Sequence, residues 1–326
     1  MRALVQERFG GPETLPLRER PMPQPGPGEV VVEVAAAGLD AGVVHLLEGR
    51  PAMVRLSRPG REGRVLGSDL AGRVHALGPG IEGFAVGDEV FGLACSGDGS
   101  MAEFARARAD RLHRRPDTLG AEEAAALPVS GCAALHAVRD AAQVRPGQRV
   151  LVLGAAGGVG HLAAQIARAD GAAVTGACST GKVELVRELG ITEVIDHTRE
   201  DPLERGPFDA IIDTGGHRPL RRLRSALTPT GALVIVGSEP ERAIAGGLGR
   251  SALAGLLNPV SRQRLVMLFS HESQEDLAAL LDLVEGGRLR PTVSARYPLE
   301  RGAEALASLG RGRGTGKVVV TMSEPW

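Results

Sequence analysis

The sequence predicts an α/β protein built from a small β-barrel and a doubly wound parallel sheet. Three observations lead there. The first 120 residues hold short strand candidates cut by Gly and Pro; from about residue 122 apolar strands alternate with helical segments; and Gly154-Ala155-Ala156-Gly157-Gly158-Val159-Gly160 joins an apolar strand to a helical stripe.

Within the barrel region the many short strand candidates include 30–36, 65–66 and 88–91. Turns separate them. Residues 21–28 are rich in Pro and Gly, and Gly78-Pro79-Gly80 followed by Phe84-Ala85-Val86-Gly87-Asp88 reads as a loop entering a tight turn. From about Glu122 the texture changes to Ala-rich helix signals, followed by strands at 150–153, 173–177, 193–195, 208–213, 232–236 and 264–269. Strands alternating with helices give a parallel sheet. After Gly287 the barrel texture returns, with a strand at 293–297, a short helix at 299–309 and a strand at Gly316-Lys317-Val318-Val319-Val320. The expected domains are therefore 1–120 with 289–326, and 121–288. The stretch 241–263, rich in Ala, Gly and Leu, carries no motif and suits a cleft lining as well as a subunit contact.

The glycine run follows Val150-Leu151-Val152-Leu153 and opens a stripe of Val159, Leu162, Ala163, Ile166 and Ala167. It reads as a dinucleotide site. Glycines there permit a tight turn, a close approach of backbone to pyrophosphate and close helix–strand packing, while the helix N-terminus turns free N–H groups and a positive dipole end toward the phosphates. Ala155, Ala156, Gly157, Gly158 and Val159 are the expected contacts.

The end of the next strand selects the cofactor. Residues 173–178 run into Ser179-Thr180-Gly181-Lys182, about 20 residues past the glycines, where a carboxylate would accept from a ribose 2′-OH. None stands there. Of the 38 basic residues only Lys182 and Lys317 are lysines, so an ammonium beside two hydroxyls at this turn points to a 2′-phosphate and to NADPH.

Composition narrows the class further. Hydrophobic content of 43% with 24% charge is that of a globular chain long enough for two domains. A net charge of −1 and 2% aromatics give no footprint for nucleic acid or anionic membrane, and no base-stacking platform. Cys95, Cys132 and Cys178 form no paired spacing, residues 1–5 read as a strand rather than a signal peptide, and no apolar run reaches about 18 residues. A cytoplasmic enzyme acting on a small molecule is expected.

Assembled, these pieces resemble the medium-chain dehydrogenase/reductases, in the zinc-independent branch of quinone oxidoreductase-like and enone reductase-like enzymes. The resemblance spans nearly the whole chain. It rests on Val65-Leu66-Gly67-Ser68-Asp69-Leu70-Ala71-Gly72, Val86-Gly87-Asp88-Glu89-Val90-Phe91-Gly92, Arg145-Pro146-Gly147, the glycine run, Val194-Ile195-Asp196, Asp213-Thr214-Gly215-Gly216 and Gly316-Lys317-Val318-Val319-Val320. It implies a GroES-like barrel as catalytic domain, a Rossmann domain for the cofactor, and a homodimer.

Zinc relatives of this family use Cys, His and Cys at positions that here hold Asp40, Ser68 and Ser130, and three cysteines cannot build a Cys₄ site. No metal is expected, although Cys132, His136 and His45 stand nearby. Without a Lewis acid, the reaction the resemblance implies is hydride delivery from NADPH to a quinone or an α,β-unsaturated carbonyl, with the developing oxyanion stabilised by donors and a proton supplied by water or a side chain. Asp40, Val43 and His45 replace the family's Asn, acid and Tyr. His45 is offered as proton donor, with the Asp40 carboxylate favouring its imidazolium. Further cofactor contacts implied are Ser130, His197 near the adenosine phosphate, Asp213, Gly215, Val236, Gly237, Ser238, Phe269 as a nicotinamide wall, and Lys317. A zinc-independent alcohol dehydrogenase or carbonyl reductase, and a catalytically weak NADPH-binding redox sensor, are the other readings.

Overall fold

A computed structural model describes residues 1–50, 55, 63–216, 218–236, 261–309 and 314–322. Two units divide the chain. The first comprises Met1–Val129, Glu272–Leu281 and Pro291–Trp326; the second comprises Ser130–His271 and Asp282–Arg290.

In the first unit, β1 (Arg2–Gln6), β2 (Leu17–Glu19) and β4 (Arg64–Val65) form a small antiparallel sheet in the order β2-β1-β4. The barrel lies beside it in sequence. β3 (Glu29–Leu39), β5 (Asp69–Leu77), β6 (Glu89–Ala94) and β7 (Phe104–Arg114) pair antiparallel in turn, and β7 returns to β3, which closes the ring. β15 (Lys317–Thr321) then pairs antiparallel with β3, and β14 (Val293–Pro298) lies parallel to β15. β7 is not among the strand candidates named from sequence, because Arg106 and Arg108 mask its inward face. That face is Ala105 and Ala107, both fully buried. Val32, Leu39, Leu70, Val90, Leu112 and Val320 fill the barrel core with α8 (Gly302–Leu309), which contributes Leu306. Each such aliphatic side chain contributes about 1.5–3 kcal/mol by leaving water. α1 (Ala41–Glu48) follows β3, and α2 (Ala121–Ala125) crosses β3 so closely that a Cβ at Gly38 would collide with the Ala125 carbonyl.

In the second unit, β8 (Arg149–Leu153), β9 (Ala173–Cys178), β10 (Glu193–Asp196), β11 (Phe208–Asp213), β12 (Leu227–Ile235) and β13 (Arg264–Met267) form one sheet in the order β10-β9-β8-β11-β12-β13. Every pair is parallel. Residues 150–153 are 0–1% exposed, as a central strand covered on both faces requires. The strand order reverses between β8 and β11, so the carboxyl ends of these two strands flank the switch point where open α/β sheets bind ligands. α4 (Gly160–Ala169) follows β8, α5 (Val183–Glu188) follows β9 and α6 (Leu220–Ser225) follows β11. α3 (Pro128–Leu135) and α7 (Gln274–Glu285) each span a unit boundary, and α3 runs on into one π-helical stretch, His136–Ala141.

Element bounds differ from expectation at several places. The fifth parallel strand begins earlier, at Leu227, and the expected helix at 299–309 is a 3₁₀ turn, Leu299–Arg301, before α8. The sixth strand stops at Met267, since its neighbour ends at Ile235 and the last contact is Leu268 N–H to Ile235 O at 3.0 Å. Most of 241–263 lies outside the described residues.

Candidate functional site

The turn after β8 is built by its glycines. Gly154 takes φ +79°, and the N–H groups of Gly154 and Ala155 both donate to Ala177 O at 3.0 Å, fixing the turn to the end of β9. Side chains are excluded here. A Cβ at Gly154 would come 2.5 Å from Thr214 Oγ1, and one at Gly160 would run into the Gly154 carbonyl. Buried His161 braces the same loop, its Nδ1 donating to Gly157 O at 2.8 Å. No side chain caps α4; the His161 N–H is taken by Gly157 O at 3.1 Å, and the N–H groups of Gly158, Val159 and Gly160 are left for an anion. The donor set, the missing Cβ atoms and the dipole fit the pyrophosphate of a nicotinamide dinucleotide. Ala155 and Ala156 are buried, while Gly157, Gly158 and Val159 are partly exposed at the rim.

At the end of β9, Ser179 starts a 3₁₀ turn over Thr180–Lys182 that closes with Lys182 N–H donating to Ser179 O at 2.9 Å. Lys182 is half-buried, and that burial pulls its ammonium down from the usual lysine range. β10 runs parallel to β9 with Asp196 opposite Cys178, and exposed His197 donates its N–H to Cys178 O at 3.0 Å. This brings Ser179, Thr180, Lys182 and His197 to one corner. Asp196 completes it. Its carboxyl is held down at about 2 by hydrogen bonds from the Thr180 and Thr198 side chains, helped by the Thr198 N–H and by Arg199.

At the end of β11, Asp213 is 1% exposed, and its Oδ1 accepts from Gly215 N (3.2 Å) and Gly216 N (3.1 Å). Its carboxylate shapes the loop. Val236 donates its N–H to Asp213 O at 2.9 Å, which brings Gly215 and Val236 to the same sheet edge as Gly154. Gly237 and Ser238 lie outside the described residues. Phe269 does not end a strand: it stands two residues past β13 and is 79% exposed. Ser130, on α3, is buried. Farther along the same helical run, His136 is buried with Nδ1 3.0 Å from Ser270 Oγ, its ring stacked on His271 at 4.9 Å, and Cys132 is fully buried.

In the first unit Asp40 is the N-cap of α1, with Oδ1 accepting from Val43 N at 3.1 Å. That explains a carboxylate here on structural grounds alone. A side chain at Gly42 would press on the cap, since a Cβ there falls 2.8 Å from Asp40 Oδ1. His45 is half-buried in the last turn of α1, and no hydrogen bond or ion pair joins its ring to Asp40. Lys317 departs from its expected place among the cofactor contacts. It is 1% exposed on β15 with Nζ 3.0 Å from Oδ2 of Asp69, which is itself fully buried. Asp69 Oδ1 accepts from Val129 N at 2.9 Å.

Asp69, His161, Asp196, Thr198 and Thr214 go unread in the sequence as site residues. Only the Asp196-x-Thr198 spacing offers a local signal, that of a side chain accepting from the backbone two residues on.

Known proteins share this plan. The model described as alcohol dehydrogenase GroES-like domain matches residues 26–117, and that described as zinc-binding dehydrogenase matches residues 189–320. The chain is 30% identical to the chloroplast envelope quinone oxidoreductase homolog of Arabidopsis thaliana, over 98% of each chain, and 32% identical to the quinone oxidoreductase of Homo sapiens, over 99% of this chain and 98% of that one. The solved quinone oxidoreductase of Coxiella burnetii superposes with a TM-score of 0.85 at 28% identity, covering 99% of both chains.

Proposed function

The chain belongs to the medium-chain dehydrogenase/reductase superfamily, in its quinone oxidoreductase-like branch, and on that premise we propose that it is an NADPH-dependent reductase of quinones or α,β-unsaturated carbonyls. The observation that carries the reading is the glycine turn between β8 and α4, with no side chain where a pyrophosphate would lie and no cap on the helix. Bound there, a nicotinamide nucleotide supplies the hydride that reduces the substrate. The N–H groups of Gly158, Val159 and Gly160 hold its phosphates, and Lys182 with Ser179 meets the 2′-phosphate.

In the first unit, the part proposed for His45 is to give a proton to the oxygen on which negative charge develops. Asp40 fixes the start of the helix that carries it. The reading is zinc-independent. Asp40, Ser68 and Ser130 at the family's ligand positions offer neither thiolate nor imidazole, and the Asp40 carboxylate is engaged by its cap. It also includes a homodimer in the cytoplasm, supported by three cysteines at no paired spacing and by β13, whose outer edge has no partner strand among the described residues. No helix among the described residues is long and apolar enough to cross a membrane. Steady-state oxidation of NADPH with quinones and enones tests the proposal.

A further inference from the structure

Thr180, Thr198 and Asp196 share too few protons for every oxygen to donate outward. The Thr198 hydroxyl gives its one proton to Asp196 Oδ1 at 2.7 Å, and the Thr198 N–H adds a second bond to the same oxygen at 3.0 Å. Thr180 Oγ1 lies 3.0 Å from Thr198 Oγ1 and also hydrogen-bonds the Asp196 carboxylate. An ionised carboxylate only accepts, and each hydroxyl has one proton. With the Thr198 proton committed, the Thr180 proton must point inward to Thr198 or to Asp196. Thr180 is exposed, so lone pairs are what its oxygen turns to a ligand.

We propose that Asp196 is a specificity-determining, positioning residue: by drawing in the Thr180 proton it makes Thr180 an acceptor for a ribose 2′-hydroxyl and restrains the preference for NADPH that Lys182 imposes. This rests on the reading that the Ser179–Lys182 turn receives the adenosine ribose. A free 2′-hydroxyl can donate to Thr180, whereas a 2′-phosphate near neutral pH offers mainly acceptor oxygens and negative charge. The Asp196 carboxylate behind Thr180 repels that charge as well, although Arg199 Nε at 3.3 Å offsets part of it. One corner thus holds two opposed elements. Lys182 favours the phosphorylated cofactor, and the Asp196–Thr180 pair favours the unphosphorylated one.

Fluorescence titration of NADPH and NADH into the full chain and its variants tests the assignment by affinity, without turnover. Asp196→Ala is expected to raise the NADPH-to-NADH affinity ratio about tenfold, the scale of one charged hydrogen bond. Thr180→Val, at an exposed position, should weaken NADH and spare NADPH. In the Thr180→Val background the Asp196→Ala effect should fall to less than half, because the two act through one proton. A ratio unchanged in Asp196→Ala, or changed equally with and without the Thr180 hydroxyl, overturns the assignment. Lys182→Ala separates this from the parent reading. If it weakens NADPH while Asp196→Ala leaves the ratio alone, only the role of Asp196 fails; if neither Lys182→Ala nor Thr180→Val alters either affinity, the ribose does not bind at this turn.

Discussion

Lys317 Nζ and Asp69 Oδ2 lie 3.0 Å apart in the barrel wall, joined across 248 residues of sequence and shut away from solvent. They tie β15 to β5, and through Val129 N they also tie the segment that begins α3. Burial pushes the Asp69 carboxyl up to about 6 against the opposing pull of Lys317. Its native pKa therefore exceeds its unfolded one, so the folded state holds the extra proton between about pH 4 and pH 6. Stability from this group is greatest at acid pH and is lost as pH rises through about 6. We expect the stability of the unmutated protein relative to Asp69→Asn to drop by about 3 kcal/mol between pH 4 and pH 7, read from denaturant midpoints. A gap moving the other way would mean that the ion pair outweighs desolvation. Lys317→Met strands the carboxylate and should destabilise by about 3–5 kcal/mol at pH 7, and by less at pH 5.

Lys182→Ala should weaken NADPH by about tenfold or more and leave NADH nearly unchanged, since it removes one charge-assisted hydrogen bond to the 2′-phosphate. Titration of each cofactor checks this. Equal affinities of the unmutated protein for NADPH and NADH would remove its basis.

His45→Phe should lower kcat by about 10² while cofactor affinity holds. With His45 as donor, the single-turnover rate of substrate reduction falls in the variant at every pH tested. Unchanged rate and profile would reduce His45 to a packing residue and leave water as the proton source.

Purified protein should carry well under about one zinc per chain, and chelators should leave turnover intact. Elemental analysis decides it. Stoichiometric zinc, with His136 and His271 as the adjacent imidazoles, would contradict the metal-free reading.

The parts legible in sequence are those set by neighbours along the chain. The apolar run of β8, the glycines that no Cβ could replace and the helical stripe of α4 each have a local cause, so their order alone revealed the parallel sheet. What stayed hidden depends on register and distance. Asp196 reaches Thr180 because β10 pairs with β9 so that Asp196 sits opposite Cys178, and no spacing in the chain encodes that alignment. Lys317 reads as a cofactor contact until β15 places it against Asp69. Asp40 reads as a reactive acid, yet its position before a short helix gives it a cap to serve. Arg at alternate positions of β7 conceals the two alanines that face the core.

The central claim is reductive chemistry with NADPH, and its most direct test is the loss of NADPH absorbance in the presence of a panel of quinones, enones and enals. Turnover of at least one of them, faster with NADPH than with NADH, is the predicted result. Tight NADPH binding with no oxidation by any member of the panel would contradict it and leave a nucleotide-binding protein without this reaction.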